Sequence, residues 1–231
     1  MDISVVMPVY NERQFVEEII KRVLKSGIPE ELIIVDDGSL DGTREILEKV
    51  VKAYDGQCVI KVIYLPRNEG KGAALQRGFQ EATRSIIIIQ DADLEYDPSD
   101  YATLINPIVE DKADVVYGSR FLGGTHRVLF FWHYVGNQFL TLISNILTDM
   151  NLSDMETGYK AFRRSILKRI DFTCKRFGFE PEFTIKVARE GYRIYEVPIS
   201  YWGRNYAEGK KINWKDGLAA IWWLLKYRFW G

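Results

Sequence analysis

Cysteine is nearly missing from this chain of 231 residues: Cys58 and Cys174 are the only two, far apart and without CxxC or metal-ligand spacing. That excludes a disulfide framework and a zinc site, and points to a reducing compartment, the cytoplasm. An excess of one charge is missing too. Lys plus Arg total 31 against 32 Asp plus Glu, so no global positive field gathers nucleic acid, and any anion site has to be local. No apolar run reaches the roughly 20 residues of a spanning helix. The chain begins without a basic segment leading into a cleavable apolar stretch, so secretion through a signal peptide is not expected. Low-complexity sequence is also lacking: 47% hydrophobic and 27% charged residues are the proportions of a chain that folds around a core. Aromatic residues, by contrast, are plentiful, and six of them are Trp.

Short Val- and Ile-rich runs at Ile3–Met7, Leu32–Asp36, Val59–Tyr64, Ile86–Gln90 and Val115–Tyr117 have strand length and no polar alternation, which predicts strands buried on both faces. Helical spacing fills the intervals at Glu12–Ser26, Thr43–Tyr54, Lys71–Ala82 and Ser99–Asp111. Strand and helix in alternation demand parallel strands with crossover helices. The expected fold is therefore α/β, an open, mostly parallel sheet flanked by helices, with ligands beyond the carboxyl ends of the strands. After Phe121 the alternation breaks into an aromatic stretch, Val128–Trp132, and a helix through Gly136–Thr148. Ile194–Ser200 then reads as a further strand whose Pro198 marks an edge or an end. A Gly-, Arg- and Lys-rich loop (Gly203–Lys211) leads to an aromatic C-terminal helix at Trp214–Phe229. We expect one domain over residues 1–212 and a C-terminal amphipathic helix over 213–231.

The chemistry sits at strand ends. Asp91 and Asp93 are two apart in extended chain, so they leave a buried strand on one side, and such a pair repels itself unless a cation is present. A hard divalent ion held by one or two carboxylates and phosphate oxygens fits, with Glu95 as a further ligand; a cap on the turn toward Pro98 is the structural alternative. Val35-Asp36-Asp37-Gly38-Ser39 offers carboxylates to a base or ribose, although Asp-Gly-Ser is equally good turn chemistry. Pro8-Val9-Tyr10-Asn11-Glu12 adds a ring for stacking and another carboxylate. Three acidic strand ends converging in one crevice are harder to assign to turns alone. Arg67–Leu75 is a glycine-bearing entry to a helix, in which Lys71 and backbone N–H groups suit an anion. It matches neither the dinucleotide fingerprint, which fails at Leu75, nor a Walker A loop, which fails at Gly72.

Taken in order, Pro8–Glu12, Val35–Ser39 with Asp41-Gly42-Thr43, Arg67–Leu75, Asp91–Glu95, Gly118-Ser119-Arg120 and Gly191–Lys210 resemble the family-2 inverting glycosyltransferases, most of all their polyprenol-phosphate, dolichyl-phosphate mannosyltransferase-like group. The resemblance implies a GT-A-type nucleotide-sugar fold and a divalent cation, Mg²⁺ or Mn²⁺. By motif position it places Pro8, Tyr10, Glu12, Val35 and Asp37 on the nucleoside, Asp91 and Ala92 on the nucleotide, and Asp93 and Glu95 on the metal. Arg120, Arg204 and Lys210 then meet phosphates. The group often carries added transmembrane helices that are not seen here, and Gly123–Asn151 departs from the mannosyltransferase pattern.

The implied reaction moves a hexose from a nucleoside-diphosphate sugar, of GDP-mannose or UDP-glucose type, to a polyprenyl phosphate. A phosphate monoester has a second pKa of about 6 and needs no protein base. A hydroxyl acceptor needs one, and Asp154 or Glu156 would serve. A non-catalytic nucleotide-sugar binder is the remaining alternative. The cations of Gly203–Lys211 suit a loop ordering over a diphosphate. In the last helix, Trp214, Leu218, Ile221, Trp222, Leu225 and Phe229 recur every three or four residues beside Lys215, Lys226 and Arg228. That pattern fits peripheral contact with the cytoplasmic face of a membrane, docking on the protein's own core, or a homodimer contact.

Overall fold

The computed structural model describes residues 2–56, 58–123, 126–128, 130–176, 178–204 and 214–230. Four strand–helix units open the chain: β1 (Ile3–Val9), α1 (Val16–Lys25), β2 (Glu31–Asp36), α2 (Thr43–Ala53), β3 (Val59–Tyr64), α3 (Lys71–Glu81), β4 (Ile86–Ile89) and α4 (Tyr101–Val109). Then follow β5 (Val115–Ser119), α5 (Phe131–Thr148), β6 (Lys160–Arg163), α6 (Phe179–Arg189), β7 (Ile194–Pro198) and α7 (Trp214–Phe229). The strands form one sheet in the order β3-β2-β1-β4-β6-β5-β7. All neighbours are parallel except β6, which runs antiparallel to both β4 and β5.

Strand periodicity builds two cores from one sheet. In β1, Ile3, Val5, Met7 and Val9 face a layer that holds Val16, Ile19, Ile20 and Val23 of α1 and Leu104, Ile105 and Ile108 of α4. Val6, with Ile33 and Val35 of β2 and Ile87 and Ile89 of β4, faces the other layer. There it meets Leu75 and Phe79 of α3, Phe179 and Phe183 of α6, and Leu224 and Tyr227 of α7. Strands buried on both sides are why the sequence reads as unbroken apolar runs.

Several expectations shift. α1 begins at Val16, because Glu12–Phe15 form a turn in which the Glu12 carbonyl accepts from Phe15 and Val16. α5 begins at Phe131, so it takes in Phe131 and Trp132, the end of the aromatic stretch, and starts five residues before the expected Gly136. β6 and α6 were not anticipated: β6 is four residues long and opens with a lysine, and the first turn of α6 reads Glu180-Pro181-Glu182. Pro198 ends β7, which pairs with β5 alone and so lies on the sheet edge, where a missing N–H costs nothing.

Candidate active site

The carboxyl ends of β1, β2 and β4 form one rim, and side chains bind their loops together. The Asn11 N–H donates to Ser39 Oγ (2.9 Å), Leu40 N–H to Asn11 Oδ1 (3.0 Å) and Glu12 N–H to Thr43 Oγ1 (3.1 Å). Asp36 is wholly buried and serves the frame, accepting from Arg44 Nε (2.6 Å) and from the Ser39 N–H. Asp37 accepts the backbone N–H groups of Glu69 and Gly70, one on each oxygen, both at 2.8 Å. Burial raises its pKa although those two bonds oppose the shift. Asp37 thus shapes the loop that enters α3. Gly38 allows the close approach: its φ is +76°, and a Cβ would collide with the backbone of Arg67.

Among residues expected to touch the nucleoside, Tyr10 is 38% exposed at the rim, Pro8 is partly exposed and Glu12 is nearly buried. Val35 is different. Its side chain is in the core, so only its backbone faces the crevice. Ala92 is likewise buried.

The acidic motif divides between two cations. Asp91 pairs with Lys71 Nζ (2.9 Å), which also reaches Glu180 of α6 (3.0 Å). Burial alone would depress the Lys71 ammonium, but Asp91 and Glu180 outweigh it and hold its pKa above the ordinary lysine value. A side chain at residue 158 would run into the Asp91 carboxylate, so the glycine there leaves room for the pair. Asp93 and Glu95 belong to Arg204. Its Nη2 donates to Asp93 Oδ2 (2.8 Å), its backbone N–H to Glu95 Oε1 (2.9 Å), and its Nη1 lies 3.7 Å from Glu12 Oε2. Tyr201 Oη donates to the other oxygen of Glu95 (2.8 Å). Burial, with Glu95 and Asp91 alongside, pushes the Asp93 carboxyl up to about 7 against the pull of Arg204. Among the described residues no three His, Cys, Asp or Glu side chains gather to ligate an ion unaided, since basic side chains stand between the carboxylates.

Across the cleft, Arg120 follows β5 and is forked onto Asp154: Nε to Oδ2 and Nη2 to Oδ1, each 2.7 Å, with the Arg120 N–H adding a third bond to Oδ2 (3.1 Å). Asp154 is fully buried and both its oxygens accept from Arg120, a matched fork that orients the guanidinium. Glu156 is the contrasting group. Its Oε1 is buried and has no hydrogen-bond partner, and burial, with Glu180 nearby, lifts its pKa to about 8.

β6 explains why residues 154–159 lie here at all. An antiparallel strand presents its amino end where the parallel strands present their carboxyl ends, and Lys160 pairs with Ile89 in register. Sequence reasoning missed Glu180, Lys160 and Tyr201. Lys160 is buried with its ammonium on the Thr157 carbonyl and 4.9 Å from the Tyr117 ring centre, and burial lowers its pKa to about 8. No sequence signal marked Glu180 or Lys160. Tyr201 stands two residues before the basic loop Gly203–Lys211 that the sequence marks. Lys210, expected on phosphate, lies outside the described residues.

The family model "Glycosyl transferase family 2" matches residues 4–171, which span every strand end just described. The chain belongs to glycosyl transferase family 2. This family-2 glycosyltransferase is 30% identical over 213 residues to polyprenol monophosphomannose synthase of Mycolicibacterium smegmatis, covering 89% of this chain and 79% of that protein. It is also 30% identical over 235 residues to undecaprenyl-phosphate mannosyltransferase of Micrococcus luteus, covering 96% and 92%. Among solved structures, glucosyl-3-phosphoglycerate synthase of Mycobacterium tuberculosis, crystallised with Mn²⁺, uridine diphosphate and phosphoglyceric acid, superposes with a TM-score of 0.75 at 20% identity. The match covers 98% of this chain and 78% of that one. That likeness establishes the GT-A-type architecture that the motif order implied.

Proposed function

We propose that this glycosyltransferase moves a hexose from a nucleoside-diphosphate sugar to a polyprenyl phosphate, with Mg²⁺ or Mn²⁺ held at the acidic rim. The observation that carries the reading is the convergence of Glu12, Asp93 and Glu95 on a single guanidinium: the rim demands positive charge, and its donors are all hard carboxylate oxygens. Those residues and Asp91 fit a divalent ion, which when bound neutralises charge growing on the departing diphosphate. Relatives named for polyprenol phosphate and undecaprenyl phosphate support the acceptor class.

In this reading the sugar C1–O bond to the diphosphate breaks as a phosphate oxygen of the acceptor bonds to C1 from the opposite face. Arg120, oriented by Asp154, and Arg204 present charge to phosphate oxygens, and Lys71 holds Asp91 in place. The acceptor is already anionic, so no protein base is required. A second reading, a hydroxyl acceptor with Glu156 as base, is favoured by the unpartnered Glu156 oxygen.

No helix of the described residues is long and apolar enough to cross a membrane. The acceptor's bilayer is met instead by α7, whose inner residues Ala220, Leu224 and Tyr227 are buried while Leu218, Trp222 and Phe229, and Trp230 just beyond the helix, are exposed. Lys226 and Arg228 close the helix, as suits an anionic surface. The test is a donor screen by thermal shift and turnover with GDP- and UDP-sugars plus Mn²⁺, followed by transfer to polyprenyl phosphate in mixed micelles. Stabilisation by one donor and product formation only with the phosphorylated lipid are expected. Transfer to a free sugar hydroxyl but not to the lipid overturns the acceptor assignment.

A further inference from the structure

We infer that Arg204 is the resident counter-ion of the cation site, and that metal and diphosphate bind cooperatively because Arg204 has to leave the carboxylates for the metal to enter and finds its new partner in the diphosphate. The inference deepens the proposed function and rests on its reading of the acidic rim.

The contacts are those of an occupied cation site. Three carboxylates from two strand ends, Glu12 after β1 and Asp93 and Glu95 after β4, surround one guanidinium, whose side chain is 13% exposed. Its ring neighbour is Phe15, 5.5 Å below. The segment bearing Arg204 is drawn onto the same loop by its main chain: Trp202 N–H donates to the Glu95 carbonyl (2.9 Å), and the Arg204 N–H donates to the Glu95 side chain. Both Glu95 oxygens are engaged, one by Tyr201 and one by Arg204.

An ion held by Asp93 and Glu95 at about 2.0–2.1 Å, as Mg²⁺ requires, competes for oxygens that Arg204 now holds. Lys71 does not compete in the same way, because Glu180 keeps it beside Asp91. Displacing Arg204 into water with no new partner discards a charge-assisted bond to Asp93, which opposes metal binding by the free protein. A nucleoside diphosphate supplies the missing partner, since arginine forks readily onto phosphate. Metal then favours diphosphate and diphosphate favours metal by the same factor, as linkage requires.

The test is Mn²⁺ binding followed by electron paramagnetic resonance, without turnover. Without nucleotide, Arg204→Gln is expected to bind Mn²⁺ at least tenfold more tightly than the unsubstituted protein, and the gain in Mn²⁺ affinity on adding GDP or UDP is expected to shrink. Equal or weaker nucleotide-free Mn²⁺ binding by a folded Arg204→Gln overturns the exchange, while the metal site itself stands if the unsubstituted protein still binds Mn²⁺ with nucleotide. Absence of Mn²⁺ binding in both proteins, with and without nucleotide, overturns the metal site and the exchange together. Should Arg204→Gln not fold, the unsubstituted protein answers by NMR: the Arg204 Nε–H resonance, assigned by its loss in Arg204→Lys, is expected to shift on saturation with Mg²⁺. An unmoved resonance overturns the proposal.

Discussion

The cleft holds two arginine–carboxylate arrangements of opposite character. Arg120 meets one carboxylate in a matched fork, and Asp154 is fully buried with both oxygens taken. Arg204 is shared among three carboxylates at 2.8 to 3.7 Å, more negative charge than one guanidinium can satisfy. A closed pair of the first kind fixes geometry. An oversupplied cluster of the second kind holds its cation by charge, and so admits a better one. In the reading proposed above, the Arg120–Asp154 pair serves positioning and the Arg204 cluster serves ligand exchange, although both are built from the same residue types.

The sharpest way to break this contrast is at Asp93. Asp93→Asn is expected to lower metal-dependent turnover by about 10²- to 10³-fold, the scale of losing one electrostatic stabiliser, while the protein still melts cooperatively as a folded chain. Initial rates and a thermal melt on one preparation check both halves. Asp154→Asn should do the reverse in kind: it strands a buried guanidinium, and breaking such a pair costs about 3–5 kcal/mol of stability, read by denaturant titration. A stable Asp154→Asn protein would place the pair in the exchangeable class.

The two carboxylates with raised pKa supply a second contrast. Burial beside Glu95 and Asp91 pushes the Asp93 carboxyl up to about 7 in the folded protein, far above an ordinary aspartate, so the stability it contributes is complete below about pH 4 and is lost as pH rises through 7. In chelator, the melting temperature of Asp93→Asn relative to the unsubstituted protein should therefore climb from pH 4 to 7 and level off above. A flat difference would mean that Asp93 is ionised throughout. Glu156→Gln is expected to change transfer to polyprenyl phosphate by less than about tenfold, because that acceptor needs no base; a loss of about 10²- to 10⁴-fold, the range of general-base catalysis, would favour a hydroxyl acceptor. The smallest effect belongs to the surface. Trp222→Glu should reduce flotation with anionic vesicles while leaving donor hydrolysis in solution unchanged, and a change in oligomeric state instead would assign α7 to a dimer.

The first half of the chain was easy to read because β1, β2 and β4 are covered on both faces, so burial writes itself into the sequence as Val and Ile runs, each ending in a polar motif. The second half hid its elements for physical reasons. β6 lies between two strands that supply its partners and needs only four residues, among them a buried lysine that no hydropathy pattern would place inside. α6 begins with two glutamates around a proline, residues that suit a first turn but read as a loop, and Glu182 is buried because it accepts from Thr173 and Cys174. The acidic motif was legible as a pair needing a cation. That two of the protein's own side chains attend it, Lys71 from α3 and Arg204 from beyond β7, was not.

Local residue types determined the layered α/β architecture, the sheet ends where chemistry gathers and the chemical class of the donor atoms, because hydrophobic period and turn chemistry act over a few residues. Only the tertiary structure decided which cation faces which carboxylate. Asp93 and Arg204 are separated by 111 residues and Arg120 and Asp154 by 34, and charge pairs of that kind form where the chain's path brings them into a site with little water.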